Sequence, residues 1–298
     1  MISTHELTKT FGTIRAVDGL TFDVAPGRVT AFLGRNGSGK TTTMRMLLGL
    51  ADPTSGTATF GGKRYADLRD PARQVGAAIS SDAFHPGRTA AAHLRIVATA
   101  AGIDPRRVDE VLGQVGLTEA AGRRVGGYSL GMRQRLTLAN ALLGDPGTLV
   151  LDEPINGLDP DGIVWLRAFL RHLASEGRTV FLSSHVLTEV AQSVDDVIVI
   201  ERGQLVAAKP LAGLGTSGAT VVRTPDAAAL ISVLGTQGIS ARRTANDQVE
   251  VPDVDSDVIG RLAAHEGVVI LELTYHHDDL ETVFHQLTHA QEVSACNA

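Results

Sequence analysis

The chain has 298 residues and a mass of 31.3 kDa, room for about two domains. Its 27 basic and 33 acidic side chains leave a net charge of −6, which excludes a nucleic-acid binder that relies on an overall basic surface. A single cysteine, Cys296, excludes a disulfide framework and a cysteine-based zinc site, and 43% hydrophobic against 20% charged residues excludes a disordered chain.

In chain order, Thr21–Val24 alternates and Pro26-Gly27 marks a turn. Val29–Leu33 reads as a buried strand that runs into a glycine-rich loop. After Lys40 the pattern turns helical, and Gly56–Phe60 predicts another strand. Helices are expected over Ala90–Ala101, Arg106–Val115 and Ser129–Leu143, a helical insert covering about residues 83–145. Strand and helix then alternate: Thr148–Leu151, Gly162–Ser175, Thr179–Ser183, Val186–Ser193 and Val197–Ile200. Residues 209–218 read as a linker between a first domain over 1–208 and an accessory domain over 219–298. The second domain is expected to run strand Ala219–Arg223, helix Pro225–Leu234, strands Ser240–Arg243 and Gln248–Val251, helix Asp255–His265, strand Val268–Leu273 and helix Asp278–Leu287. That β-α-β-β-α-β order is ferredoxin-like. No apolar stretch approaches the roughly 20 residues of a membrane span. Met1–Glu6 has neither the basic nor the apolar part of a secretory signal, so a cytoplasmic chain is expected.

Gly34-Arg-Asn-Gly-Ser-Gly-Lys-Thr41 fits the phosphate-loop pattern, which about one chain of this length in a hundred would match by chance. Gly34, Arg35, Asn36, Gly37, Ser38 and Gly39 let successive N–H groups point at a phosphate, and the helix after them adds its positive end. Lys40 is one of only four lysines, and its ammonium suits the β- and γ-phosphates. Thr41, followed by Thr42, offers a hydroxyl to Mg²⁺. Leu149-Val-Leu-Asp152-Glu153-Pro154 is an apolar strand tipped by two carboxylates. Asp152 suits Mg²⁺ and Glu153 suits an attacking water.

Between these motifs lies Tyr128-Ser-Leu-Gly-Met132, then Arg133-Gln-Arg135. With them, residues 1–208 resemble the ATP-binding subunits of ABC transporters. The resemblance implies a P-loop cassette: a RecA-like α/β core, an N-terminal antiparallel β subdomain and an inserted helical subdomain. In it, Tyr128–Met132 resembles the family's Leu-Ser-Gly-Gly-Gln signature. Ser129 and Gly131 match, and Tyr128, Leu130 and Met132 depart from it. Ser129 lies 89 residues after Lys40 and 23 before Asp152, and it can also cap the following helix. The resemblance implies that Ser129 and Gly131 meet the γ-phosphate of a partner subunit, with ATP sandwiched between two cassettes.

It further implies that Asn156-Gly-Leu-Asp159 is a loop whose Asp159 communicates across that dimer, that His185 senses the γ-phosphate, and that Phe11 stacks on adenine. Where the family carries a glutamine that contacts Mg²⁺, this chain has Ser80, with Ser81 and Asp82 beside it. ATP and Mg²⁺ are the implied cofactors. The implied partners are a separate membrane permease and a second cassette, identical or paired, with no nucleic acid. The expected site is then the cytoplasmic face of a membrane, and the expected task export of a drug-like or lipid-like compound.

A soluble ABC-type ATPase acting on DNA or ribosomes is the rival reading. It is weakened by the short Lys40–Ser129 interval, which leaves no room for a long coiled coil, and by the single phosphate loop. A non-hydrolysing regulatory module is weakened by Glu153 and His185. His276-His277 and the His285/His289 pair read as solvated, Cys296 as a passive thiol, Trp165 as core, and Arg133 and Arg135 as packing residues close to phosphate.

Overall fold

The structure is a computed structural model that describes residues 1–79, 84–185, 191–214, 218–252 and 254–277. It divides into two compact units, Met1–Leu211 and Ala212–Ala298.

The first unit opens with a three-stranded antiparallel sheet of β1 (Ile2–Phe11), β2 (Ile14–Val24) and β4 (Ser55–Phe60), ordered β2-β1-β4. Along β2, buried Leu20, Phe22 and Val24 mark the inward side of the period-2 pleat, and Val17 joins that side across a register shift in the β1–β2 ladder. β3 (Val29–Leu33) instead joins a six-stranded sheet with β5 (Val75–Ala78), β6 (Thr148–Leu151), β7 (Thr179–Ser184), β8 (Asp196–Glu201) and β9 (Gln204–Pro210). The order is β5-β6-β7-β3-β8-β9, and all neighbours are parallel except β8 and β9. β3, β6 and β7 are buried along their whole length, which is why they read as unbroken apolar runs rather than alternating ones. Phe22 of the small sheet meets Phe32 and Phe181 of the large one at ring-centroid distances of 5.5 and 5.9 Å, and Phe32 and Phe181 lie 5.3 Å apart. This aromatic trio joins the two sheets.

The helices are α1 (Lys40–Leu47), the single turn α2 (Pro71–Gln74), α3 (Ala90–Ala100), α4 (Arg106–Gln114), α5 (Leu130–Leu142) and α6 (Pro160–Ser175). The α3–α5 group leaves the sheet after β5 and returns to it through β6. α5 packs tightly on β5: a Cβ at Gly76 would overlap the carbonyl oxygen of Ala141.

The second unit holds β10 (Gly218–Arg223), α7 (Ala227–Thr236), β11 (Arg242–Ala245), β12 (Gln248–Pro252), α8 (Ser256–His265) and β13 (Glu272–His277). Its sheet runs β11-β12-β10-β13 with every neighbouring pair antiparallel. That is the ferredoxin-like arrangement. Its core gathers Val222, Leu230, Leu234, Val249, Val251 and Ile259.

Several boundaries differ from expectation. The segment read as a linker from 209 begins inside β9, where Lys209 pairs with Val197 and Pro210 with Asp196. β9 is the sheet's edge, where a proline without an N–H is tolerated, so Pro210 signals no break. Gly218, expected in the linker, opens β10. The last strand lies at 272–277 and not at 268–273. Val268 N–H closes the end of α8 on Ala263, and Val269 and Leu271 are exposed, so their apolarity marks no strand. The helix expected from Pro225 starts at Ala227, because the Asp226 carboxylate accepts the N–H of Ala229 and caps it. The strand expected at Ser240–Arg243 is Arg242–Ala245. Trp165 is half-buried, not core: it stacks on Phe169 at 5.3 Å, and the Arg135 guanidinium lies 4.4 Å from its ring centroid. Most of the helix expected at 186–193, all of that at 278–287, and His285, His289 and Cys296 lie outside the described residues.

Phe32→Ala empties the centre of the trio and is expected to cost about 3–5 kcal/mol. Urea unfolding of the variant measures it.

Candidate functional site

The strand order brings three chain ends together. β7 lies between β3 and β6, with Leu33 opposite Ser184 and Leu151 opposite Leu182, so the segments after all three strands leave the same sheet edge. In open α/β sheets that carboxyl edge is where ligands sit. The segments carry the glycine-rich loop, the Asp152-Glu153 pair and His185.

The loop is shaped by its lack of side chains. Gly39 has φ +106, and a Cβ there would stand 2.5 Å from the carbonyl oxygen of Ala16. At Gly34 a Cβ would run into the Ser38 hydroxyl and meet the Ile200 carbonyl oxygen at 2.5 Å. The two absences open a cradle of about 220 Å³ lined by Asn36, Gly37, Gly39, Lys40, Thr41 and Thr42. Lys40 is buried and aims its ammonium into the loop, donating to the carbonyls of Gly34 (2.6 Å) and Arg35 (3.3 Å). The buried Ser38 hydroxyl has no hydrogen-bond partner. A buried ammonium, an orphaned hydroxyl and a helix N-terminus make a cradle that fits a phosphate group.

Beside it, the Thr41 hydroxyl donates to Asp152 Oδ2 at 2.8 Å. These two oxygens are hard donors of the kind Mg²⁺ takes. The Ser183 hydroxyl donates to Asp152 Oδ1 at 2.5 Å and accepts the Glu153 N–H at 2.8 Å. Glu153 itself reaches both ways: Oε1 lies 3.6 Å from Lys40 Nζ, and Oε2 lies 2.8 Å from His185 Nδ1. Its backbone is left-handed, φ 48, an uncommon conformation for an L residue.

The remaining candidates lie elsewhere. Ser129, Gly131 and Asp159 line a separate cavity of about 960 Å³ and do not meet Lys40 within the chain. Ser129 caps α5 by accepting the Met132 N–H at 3.2 Å, and Asp159 caps α6 by accepting that of Gly162 at 2.9 Å. Phe11 is 54% exposed at the end of β1, with Lys9 Nζ 5.1 Å from its ring centroid, so it is no core residue. Arg133 and Arg135 lie on α5, Arg135 donating to the Val115 carbonyl, a packing role. Ser80, with Ser81 and Asp82, falls outside the described residues.

Sequence reading missed Ser183 and Gln134. Ser183 had a signal, a hydroxyl near the end of an otherwise apolar strand. Gln134 had none beyond its place five residues after Ser129. Its amide donates to the Glu153 carbonyl at 3.2 Å.

Comparison with known proteins adds the following. The sequence model of the ABC transporter family matches residues 17–156, and that of a domain of unknown function matches residues 218–281. The bacitracin transport ATP-binding protein BcrA of Bacillus licheniformis is 46% identical over 208 residues, 69% of this chain and 68% of the relative. The lantibiotic transport ATP-binding protein SrtF of Streptococcus pyogenes is 35% identical, covering 72% of this chain and 92% of its own. The uncharacterized ABC transporter ATP-binding protein YdbJ of Bacillus subtilis is 34% identical over 96% of this chain and 94% of its own. A solved ATP-binding subunit of an ABC transporter superposes with a TM-score of 0.66 at 27% identity, over 72% of this chain and 91% of that one. A dimeric cassette bound to ADP and Pi superposes at 0.65 with 22% identity, over 71% of this chain and 99% of that one, a likeness of fold.

Ser183→Ala removes the hydroxyl that ties Asp152 to the Glu153 backbone. Nucleoside triphosphate hydrolysis is expected to slow about 10–100-fold, the usual cost of losing such a supporting bond. Thermal melting checks that the fold survives.

Proposed function

The chain belongs to the ABC transporter family as an ATP-binding, ATP-hydrolysing subunit, and on that premise we propose how its residues divide the work. The observation that carries the reading is the convergence of Lys40, the Thr41–Asp152 pair and the Glu153–His185 pair on one glycine-lined cradle. The reaction is ATP + H₂O → ADP + phosphate by in-line attack of water. Lys40 and the loop amides hold the β- and γ-phosphates. Thr41 and Asp152 would hold Mg²⁺, which when bound neutralises phosphate charge. Glu153 polarises the attacking water, and His185, 2.8 Å from its carboxylate, orients it and contacts the γ-phosphate. Phe11, exposed at the end of β1, has a free ring face to offer to adenine. Positioning and charge neutralisation lower most of this barrier.

Ser129, Gly131 and Asp159 face a cavity of their own, which supports a head-to-tail dimer in which they complete the partner's site. ATP favours the closed pair, and hydrolysis releases it, so binding free energy becomes conformational work on a separate membrane permease. Among the described residues no helix is long and apolar enough to cross a membrane, in keeping with attachment through that partner. The cargo class follows the relatives' names: two of them serve bacitracin and lantibiotic transport, and we assign this chain to export of a similar antibiotic-like compound. The reading as an ATPase of DNA or ribosomes has no counterpart among these relatives.

Lys40→Ala is expected to abolish ATP binding and turnover, checked by nucleotide titration and phosphate release; normal turnover would falsify the cradle assignment. Glu153→Gln is expected to bind ATP, to hydrolyse it at least 100-fold more slowly and to run as a dimer of the 31.3 kDa chain in light scattering with ATP. A strict monomer at saturating ATP counts against the sandwich.

A further inference from the structure

The left-handed backbone of Glu153 is uncommon and costs about 1–2 kcal/mol for a residue with a Cβ. Such a conformation persists only where its surroundings over-determine it. Here they do so from three sides. The N–H of Glu153 donates to Ser183 Oγ on β7 at 2.8 Å. Its carbonyl accepts the N–H of Asn156, one turn on, at 3.2 Å. The same carbonyl accepts Gln134 Nε2 from α5, also at 3.2 Å. The first two partners belong to the sheet and to the acidic loop itself. The third comes from the helical subdomain.

We propose that Gln134 is a positioning residue: it holds the Glu153 backbone in the conformation that aims the carboxylate, and through α5 it ties that aim to whatever Ser129 engages. The inference rests on the reading of Glu153 and Ser129 given above. The left-handed turn directs the Glu153 side chain back over the loop, where Oε1 stands 3.6 Å from Lys40 Nζ and Oε2 2.8 Å from His185 Nδ1. A return to an ordinary backbone conformation would swing both oxygens away from these partners.

α5 is suited to carry the signal. Ser129 is its N-cap, and Gln134 follows within two turns, about 7–8 Å along the axis. Leu136, Leu138, Ala139 and Leu142 are buried, so the helix moves as a body. Its first turn also touches the loop after Glu153: the Leu130 side chain occupies the place a Cβ would take at Gly157. Gln134, Leu130, Asp152, Glu153 and Asn156 border a cavity of about 350 Å³, so the amide has room to shift when α5 turns. A nucleotide of the partner subunit held at Ser129 would thus settle the aim of Glu153 in the subunit that owns Ser129. Each subunit's hydrolysis then depends on the opposite subunit's nucleotide through its own Gln134.

The test uses the full chain. Gln134→Leu keeps the size of the side chain and removes the donor; Gln134→Lys keeps a donor on a flexible stem. For Gln134→Leu, kcat for ATP is expected to fall about tenfold or more, with KM within twofold of the parent. ATP is still expected to drive dimer formation in the Glu153→Gln background. Gln134→Lys is expected to recover a large part of kcat. Ser129→Ala is expected to cost a smaller factor in the Gln134→Leu background than in the parent. A kcat for Gln134→Leu within twofold of the parent overturns the inference, as do equal losses in the Leu and Lys variants or losses that simply multiply with Ser129→Ala. A parent chain that neither hydrolyses ATP nor dimerises on it overturns the underlying reading as well. An active parent with an unaffected Gln134→Leu variant overturns this inference alone.

Discussion

The hydroxyl of Ser183 is the point on which the site turns. It donates to the Asp152 carboxylate and accepts from the backbone N–H of Glu153, so one oxygen holds the first carboxylate and the backbone that carries the second against β7. That is possible only because β7 is inserted between β6 and β3. Without that order the phosphate loop and the acidic pair would sit on adjacent strands with no third strand end between them. With it, a hydroxyl and an imidazole are delivered into the gap. The parallel register matters equally, since it sends all the functional segments out of one edge of the sheet.

Charge is handled the same way, by placement. Lys40 is buried, and an unpaired buried ammonium is expensive. Two backbone carbonyls accept hydrogen bonds from it and the Glu153 carboxylate stands 3.6 Å off. The positive charge is thereby kept inside a cradle where a phosphate can replace those contacts with stronger ones. Glu153 is held between that ammonium and His185, so one carboxylate belongs at once to the binding of phosphate and to the handling of water. Its strained backbone fits this double duty, because it takes support from β7 and α5 as well as from its own loop.

The second unit carries a four-stranded antiparallel ferredoxin-like sheet with its own core, and residues 218–281 match the model of a domain of unknown function. Its buried Thr220 and Thr224 hydroxyls donate to the carbonyls of Val254 and Val269, so these two interior hydroxyls are satisfied from within the unit. Its strands were harder to place from sequence than those of the first unit. β11 is exposed throughout and β12 alternates, so neither reads as an apolar run, and Val269 and Leu271 sit exposed just ahead of the real last strand.

The amino-acid sequence by itself determined the phosphate loop, the acidic strand end, the helical insert and the two-part organisation. Each of these is written in local spacing: glycines where the chain must bend around a phosphate, apolar runs where parallel strands are buried, and helical periodicity between them. Tertiary structure alone decided which strand ends become neighbours, that Ser183 joins Asp152 to Glu153, that Gln134 reaches Glu153 from α5, and that Phe11 and Trp165 are not core. It also decided that Ser129 and Lys40 occupy different cavities of one chain. These contacts link residues 19 to 31 positions apart or more, and side-chain spacing along a strand or helix carries no record of which distant segment will lie beside it.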